Sequence, residues 1–344
     1  MKKINLRESS AYLITDLYYR KLFSGLDIDE GLLLICKRPA YFVDARYFFA
    51  VKEDIISANL VPVLYKSKEE IKDYIIRQGI TSIFIDYDKT TLTEYETYKT
   101  FGVEILDGTD DLKKARSIKD KVELKNIETA CDIAVSVVEK AFSKLKVGVS
   151  EIEISKFINA EYLKMGASGE SFSTIVAFGE NSAIPHHKTG ERKLKNNEPV
   201  LIDTGAVYNG YCSDITRTAF FGEPSEVFIK RYNAVKKANE LAIENIKENM
   251  EFSAGDKIAR DYLKAQGYGE YFTHSLGHGL GLEIHEYPSV SPKGKGKFAF
   301  GTAFTIEPGV YFDGEYGIRI EDTVYLDGTV KRLTKDSKEL KIIK

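Results

Sequence analysis

The chain has 344 residues and 43% hydrophobic content, enough to build sizeable cores in two domains. Forty-nine basic against fifty-two acidic residues leave a formal charge of -3, which gives no electrostatic footprint for nucleic acid or an anionic membrane. Cys36, Cys131 and Cys212 are far apart, odd in number and in no Cys-x-x-Cys spacing, so neither a disulfide framework nor a zinc knuckle is indicated and a reducing compartment is expected. No stretch has the make-up of a signal peptide and no 18-residue apolar run occurs, so a cytoplasmic protein without a membrane partner is expected.

Up to about residue 115, short apolar runs alternate with amphipathic stretches. Tyr12 to Ile14, Leu32 to Cys36, Leu60 to Tyr65, Ser82 to Asp86 and Val103 to Leu106 read as strands. Arg38-Pro39 separates two apolar runs at hairpin distance, and Ser67 with Glu70 forms a capping box that opens a helix toward Gly79. A small α/β domain with a mixed sheet, residues 1–117, is expected; it contains no histidine.

Residues 118–344 form the second expected domain. Ile127, Ala130, Cys131, Ala134, Val135, Val138, Phe142 and Leu145 recur at the spacing of one long helix with a buried stripe. Ser150 and Glu153 cap another helix, which Gly166 ends. After residue 170 strands and glycine-rich turns dominate, interrupted by helices from about 225 to 249 and 254 to 266, which makes the class α+β. The charged tail from Lys331 onward reads as a solvated edge.

All five histidines, His186, His187, His274, His278 and His285, fall within a hundred residues. Asp203 ends the apolar run Val200 to Ile202, and Asp214 follows after an Asn209-Gly210 turn that can bring both carboxylates to one side. His278 stands among glycines, which let backbone approach an ion closely. Glu307 and Glu321 each sit at or near the end of an apolar strand, where a carboxylate costs several kcal/mol (about 3–5) unless paired or bound to metal. Four carboxylates with a single imidazole suit a pair of Mn, Co, Fe or Zn ions better than a thiolate-rich structural zinc site.

The ordered series Asp-Thr-Gly-Ala, Ser-Asp-x-Thr-Arg-Thr, Gly-His-Gly-x-Gly, Glu-Pro-Gly-x-Tyr and Arg-x-Glu-Asp resembles the creatinase and aminopeptidase family with the pita-bread fold, nearest to aminopeptidase P and prolidase. The resemblance implies a pita-bread catalytic domain behind a creatinase-like amino-terminal domain. It also implies two divalent metals, Mn or Co foremost: Asp203 on one, His278 and Glu307 on the other, Asp214 and Glu321 bridging. Glu307 would act as general base, and His186 and His285 would contact the substrate and steady the tetrahedral intermediate. Arg319 would pair with a carboxylate and orient it.

The activity so implied is hydrolysis of Xaa-Pro bonds at the amino terminus of peptides, with an Xaa-Pro dipeptidase as the alternative and a homodimer as the assembly. Methionine aminopeptidase fits less well, because its short form has no counterpart of residues 1–115. A metal-free binding module or creatine hydrolase on this fold predicts lost ligands, whereas all five positions carry metal-competent side chains. His187 and His274 receive no role, and Cys212 reads as packing near the site. Phe178 stands where relatives commonly have a small residue; if its loop lines the pocket, preference for the residue before proline is altered.

Overall fold

The computed structural model describes residues 2–344, which divide into two compact units between Arg116 and Ser117. In the first, β1 (Ser10–Ile14), β2 (Leu32–Ile35), β3 (Ala40–Val43), β4 (Val61–Leu64), β5 (Ser82–Ile85) and β6 (Glu104–Asp107) form one sheet in the order β4-β3-β2-β1-β5-β6. It is mixed: β1, β2 and β3 pair antiparallel, while β4, β5 and β6 join parallel. The hairpin across Arg38-Pro39 forms with Leu34 opposite Ala40. Helices α1 (Leu17–Ser24), α2 (Phe48–Ser57), α3 (Lys68–Arg77) and α4 (Leu92–Lys99) link the strands, and α5 (Thr109–Ser117) follows β6. The Ser67–Glu70 capping box opens α3.

The second unit contains two helix-on-sheet halves. In one, α6 (Lys121–Phe142) and α7 (Glu151–Lys164) cover β8 (Ile175–Phe178), β9 (Glu198–Thr204) and β12 (Ile215–Phe221), with β7 (Gly169–Glu170), β10 (Ala206–Tyr208) and β11 (Tyr211–Cys212) extending the same chain segment as a small sheet. In the other, α8 (Glu226–Asn245) and α9 (Phe252–Ala265) pack on β13 (Gly277–Gly279), β14 (Glu286–Val290), β15 (Ala303–Ile306) and β18 (Asp322–Asp327), and on the hairpin of β16 (Gly309–Phe312) and β17 (Tyr316–Arg319). β19 (Thr329–Arg332) edges β18, and β20 (Ile342–Ile343) edges β12. α6 buries most of the expected stripe: Ile127, Ala130, Cys131, Ala134, Val138 and Phe142 are inside, Val135 is half-buried, and Leu145 is buried just beyond the helix end.

The tail from Lys331 departs from the expected solvated edge. Arg217, buried on β12, donates through Nε to Asp336 at 2.6 Å and through Nη2 to Asp322 at 2.8 Å. Thr334 donates to Asp322 at 2.7 Å, and the Lys338 ammonium lies 3.2 Å from the other Asp322 oxygen. The reason is charge: strand alternation points Arg217 and Asp322 into the interior, and the tail supplies the remaining partners. Burial alone would raise the Asp322 carboxyl, but Arg217, Lys338 and Arg332 outweigh it and hold it below the usual range. Replacing Arg217 by Met leaves two acids without their shared partner, and we expect urea denaturation to show a loss of about 3–5 kcal/mol. A loss under about 1 kcal/mol would mean that the tail is solvated after all.

Candidate active site

Asp203, next to the last residue of β9, lies opposite Thr216 of β12. Just beyond, Gly205 crosses Ser213 so tightly that a Cβ on Gly205 would lie 1.8 Å from the Ser213 carbonyl oxygen, which only glycine permits. The chain turns at Asn209-Gly210 with φ +48° and +81°, the left-handed pair of a two-residue hairpin, and returns Asp214 to the cavity that Asp203 enters. Thr323 of β18 grips the Asp214 backbone twice, accepting from its N–H at 3.1 Å and donating to its carbonyl at 2.7 Å.

His278 comes from β13 of the other half. A Cβ on the preceding Gly277 would lie 1.9 Å from the Thr305 carbonyl, so the strand carrying His278 is pressed against β15. The His278 ring faces the Gly279 carbonyl with Nδ1 at 3.1 Å, a contact that assigns the proton to Nδ1. Nε2 is left as a free acceptor 3.6 Å from Asp214 and 3.5 Å from Glu307. Thr305 donates to Glu307 at 3.2 Å, and Thr216 donates to Glu321 at 2.7 Å. Asp214, His278 and Glu321 each offer one atom within 4.8 Å of the others, close enough to share a metal ion. A cavity of about 340 Å³ is lined by these residues together with Asp203, Glu307, His186, His285 and Arg319.

Arg319 is buried and fully engaged: Nη2 donates to Asp203 at 2.6 Å, Nη1 to the Tyr311 hydroxyl at 2.7 Å, and Nε to the Thr216 hydroxyl at 3.0 Å. Four carboxylates against this one guanidinium leave a formal -3 when all are ionised. Burial therefore pushes Asp214 and Glu321 well above the ordinary carboxyl range, with the neighbouring acids adding and Arg319 opposing. Burial likewise lifts Glu307 to about 8 against the opposing pull of Arg319. The same burial lowers His278 to about 4, with His285 adding to the effect, so the imidazole is a neutral donor set for a cation. One oxygen each of Asp203 and Asp214 is buried without a hydrogen-bond partner among the described residues. Oxygen-rich, negatively charged and incompletely satisfied, the cluster has the chemistry of a divalent-cation site.

The sequence matches the model of metallopeptidase family M24 over residues 125–327. The chain belongs to that family. It is 44% identical over 292 residues to an uncharacterized peptidase of Staphylococcus epidermidis, covering 78% of this chain and 83% of that one. A solved Xaa-Pro dipeptidase from Bacillus anthracis superposes with a TM-score of 0.92 at 35% identity, covering 97% of this chain and 95% of that one. An X-Pro aminopeptidase from Thermotoga maritima gives 0.88 at 30% identity, with 97% of each chain covered. The M24 chain is a metallopeptidase, with a pita-bread domain preceded by an α/β domain, and it works on peptides with divalent metal.

Several residues passed over or differently placed in the sequence acquire positions here. His274 accepts from the Tyr311 hydroxyl at 2.9 Å and stands 4.0 Å from Glu307, so it continues the chain that starts at Arg319. His187 points away from the cavity and, at 2.9 Å, contacts Glu151, whose buried carboxylate also accepts from Phe178 N, Asn181 and Gly190 N. That carboxylate thereby holds the loop that carries His186. Lys119 and Glu286, both buried, pair at 2.8 Å beside His285. Phe178 does not line the pocket: it is fully buried in the α6–α7 core, and Phe172 and Ile175 form the wall instead. Cys212 is buried against the Leu282 carbonyl and is likewise absent from the cavity lining. Thr216 and Thr305, each two residues from an acid of the same motif, and Tyr311, four residues after Glu307, carry the supporting hydroxyls, and that short spacing is the only signal they leave in the sequence.

Raised carboxyl groups make the metal-stripped fold hold protons that the unfolded chain releases, so their contribution to stability is complete below about pH 4.5 and is lost as pH climbs through their folded values. The lowered histidines act oppositely, but only below their unfolded value of 6.5. We therefore expect the melting temperature of chelator-treated protein to fall from pH 6.5 to 8, and saturating Mn²⁺ to flatten that slope. A rise over the same interval would contradict the charge assignment.

Proposed function

We propose that this chain is an Xaa-Pro aminopeptidase, releasing the residue that precedes proline at the amino terminus of a peptide, with two divalent cations held by Asp203, Asp214, His278, Glu307 and Glu321. The donor set supports the number: with -3 to offset, one divalent ion leaves -1 and two leave +1, and two are the smaller set that satisfies every acid. Such a pair, when bound, supplies an activated water and polarises the scissile carbonyl. Mn or Co suits the mixture of carboxylate and imidazole.

The remaining work falls to the chain's own groups. Glu307 accepts the proton of the attacking water and delivers it to the departing proline nitrogen, which leaves as a secondary amine. His186 and His285, whose rings make no hydrogen bond to any described residue, are free to donate to the carbonyl oxygen as it gains charge. Burial lowers His285, His186 adding to the effect, so His285 donates as a neutral imidazole. Arg319 positions Asp203 directly and Glu321 through Thr216.

The preference for an aminopeptidase rests on the cavity lining. Arg319 is the only arginine or lysine among the described residues that line it, and its guanidinium already donates to Asp203, Thr216, Tyr311 and the Pro185 carbonyl. A dipeptidase must compensate the carboxylate on proline itself, whereas an aminopeptidase meets a neutral peptide there. The likeness to the Bacillus anthracis Xaa-Pro dipeptidase favours the second reading, an Xaa-Pro dipeptidase. The family resemblance further supports a homodimer.

Loaded with Mn²⁺ or Co²⁺, the protein is expected to cleave Ala-Pro-Ala as well as Ala-Pro; turnover of the dipeptide alone would establish the dipeptidase. Glu307→Gln is expected to lower kcat by about 10²–10⁴-fold. Metal analysis after reconstitution should give two ions per chain, and fewer than one would overturn the reading.

A further inference from the structure

Glu307 and Glu321 lie in a gap between two strand ladders. The β15–β18 ladder ends at Ile306 opposite Asp322, and the β16–β17 ladder begins at Gly309 opposite Arg319. The residues between, 307–308 and 320–321, have no place in either ladder, yet they carry the two glutamates. Backbone bonds hold them from the amide side: Glu307 N–H donates to the Leu276 carbonyl at 2.8 Å, Glu321 N–H to the Thr216 carbonyl at 3.1 Å and Ile320 N–H to the Pro308 carbonyl at 3.3 Å.

That gap is spanned from α8. Asn239 is fully buried, and its side-chain nitrogen donates to the Ile306 carbonyl at 2.9 Å and to the Ile320 carbonyl at 3.3 Å. These are the residues immediately before Glu307 and Glu321. The amide oxygen accepts from the Lys338 ammonium at 2.6 Å. Carbonyls only accept and an ammonium only donates, so chemistry alone fixes which end of the amide faces which way. Lys338 is in turn anchored 3.2 Å from Asp322, the neighbour of Glu321. One planar amide thus ties both strand ends to a helix, with its rotation fixed from the opposite side.

We propose that Asn239 is a positioning residue of the metal centre: by tying the carbonyls that precede Glu307 and Glu321 to one amide on α8, it fixes the separation and direction of the two glutamates together with the backbone bonds at their N–H groups. The inference rests on the reading of both glutamates as metal ligands. Asn239 touches neither substrate nor cation. A buried asparagine serving only the core would contribute stability without altering the affinity of a site on the far side of the strands, and this difference makes the role testable.

Asn239→Asp keeps the shape and the Lys338 contact but turns an acceptor toward two carbonyls; Asn239→Leu removes the donors without adding charge. Val235→Ala, at a fully buried position of the same helix, is the control for lost stability. Titration calorimetry of the full chain with Mn²⁺ is expected to show binding about 10–100-fold weaker in whichever Asn239 variant is folded by circular dichroism, with near wild-type affinity in Val235→Ala. On Ala-Pro-Ala, kcat should fall in the Asn239 variants while KM stays within about twofold. Wild-type Mn²⁺ affinity in an Asn239 variant, or equal weakening in the Val235 control, overturns the role of Asn239. A wild-type chain that takes up no Mn²⁺ overturns instead the metal reading on which it rests.

Discussion

The arrangement of the active cavity follows from one guanidinium set among four acids. Arg319 donates to Asp203, Tyr311, Thr216 and the Pro185 carbonyl, so Asp203 is the one carboxylate it pairs with directly. Asp214 and Glu321 are buried and Glu307 half-buried, and none of the three has a basic side chain hydrogen-bonded to it. A fold that removes carboxylates from water and withholds cations must hold protons or metal in their place. In this chain the demand for a cation follows from the number of basic side chains that reach the cavity.

The contrast between Glu321 and Asp322 shows how sharply this is controlled. The two acids are consecutive, yet alternation sends them to opposite sides of the chain. Asp322 meets Arg217, Lys338 and Thr334 and is held ionised, whereas Glu321 meets a single threonine hydroxyl and other acids and is pushed toward protonation. The two sides communicate through Lys338 and Asn239, so the tail of the chain belongs to the support of the site.

A division of labour also separates the groups that hold from the groups that react. Glu151 gathers four donors around the loop bearing His186, and the Lys119–Glu286 pair braces the segment bearing His285. With neighbours doing the holding, both imidazole rings keep their nitrogens free. Partial burial first and the nearby His186 second lower His285, which suits a hydrogen-bond donor to a carbonyl more than a charged partner for a carboxylate.

Much of this was legible before any coordinates. Capping boxes, the Asn209-Gly210 turn, the α6 stripe and the family motifs are written in residues close together, and local spacing is enough to read them. The same motifs named the residues that enter the cavity, because each carries its acid or imidazole beside a characteristic glycine, proline or threonine. The partner of Arg319, the clamp of Asn239, the burial of the tail and the wall of Phe172 and Ile175 in place of Phe178 were decided only by tertiary structure. Asp203 and Arg319 are separated by 116 positions, and a contact across such a distance leaves no periodicity in either segment. Which side of a strand a residue faces depends on register with strands elsewhere in the chain, and register is set when the sheets pack.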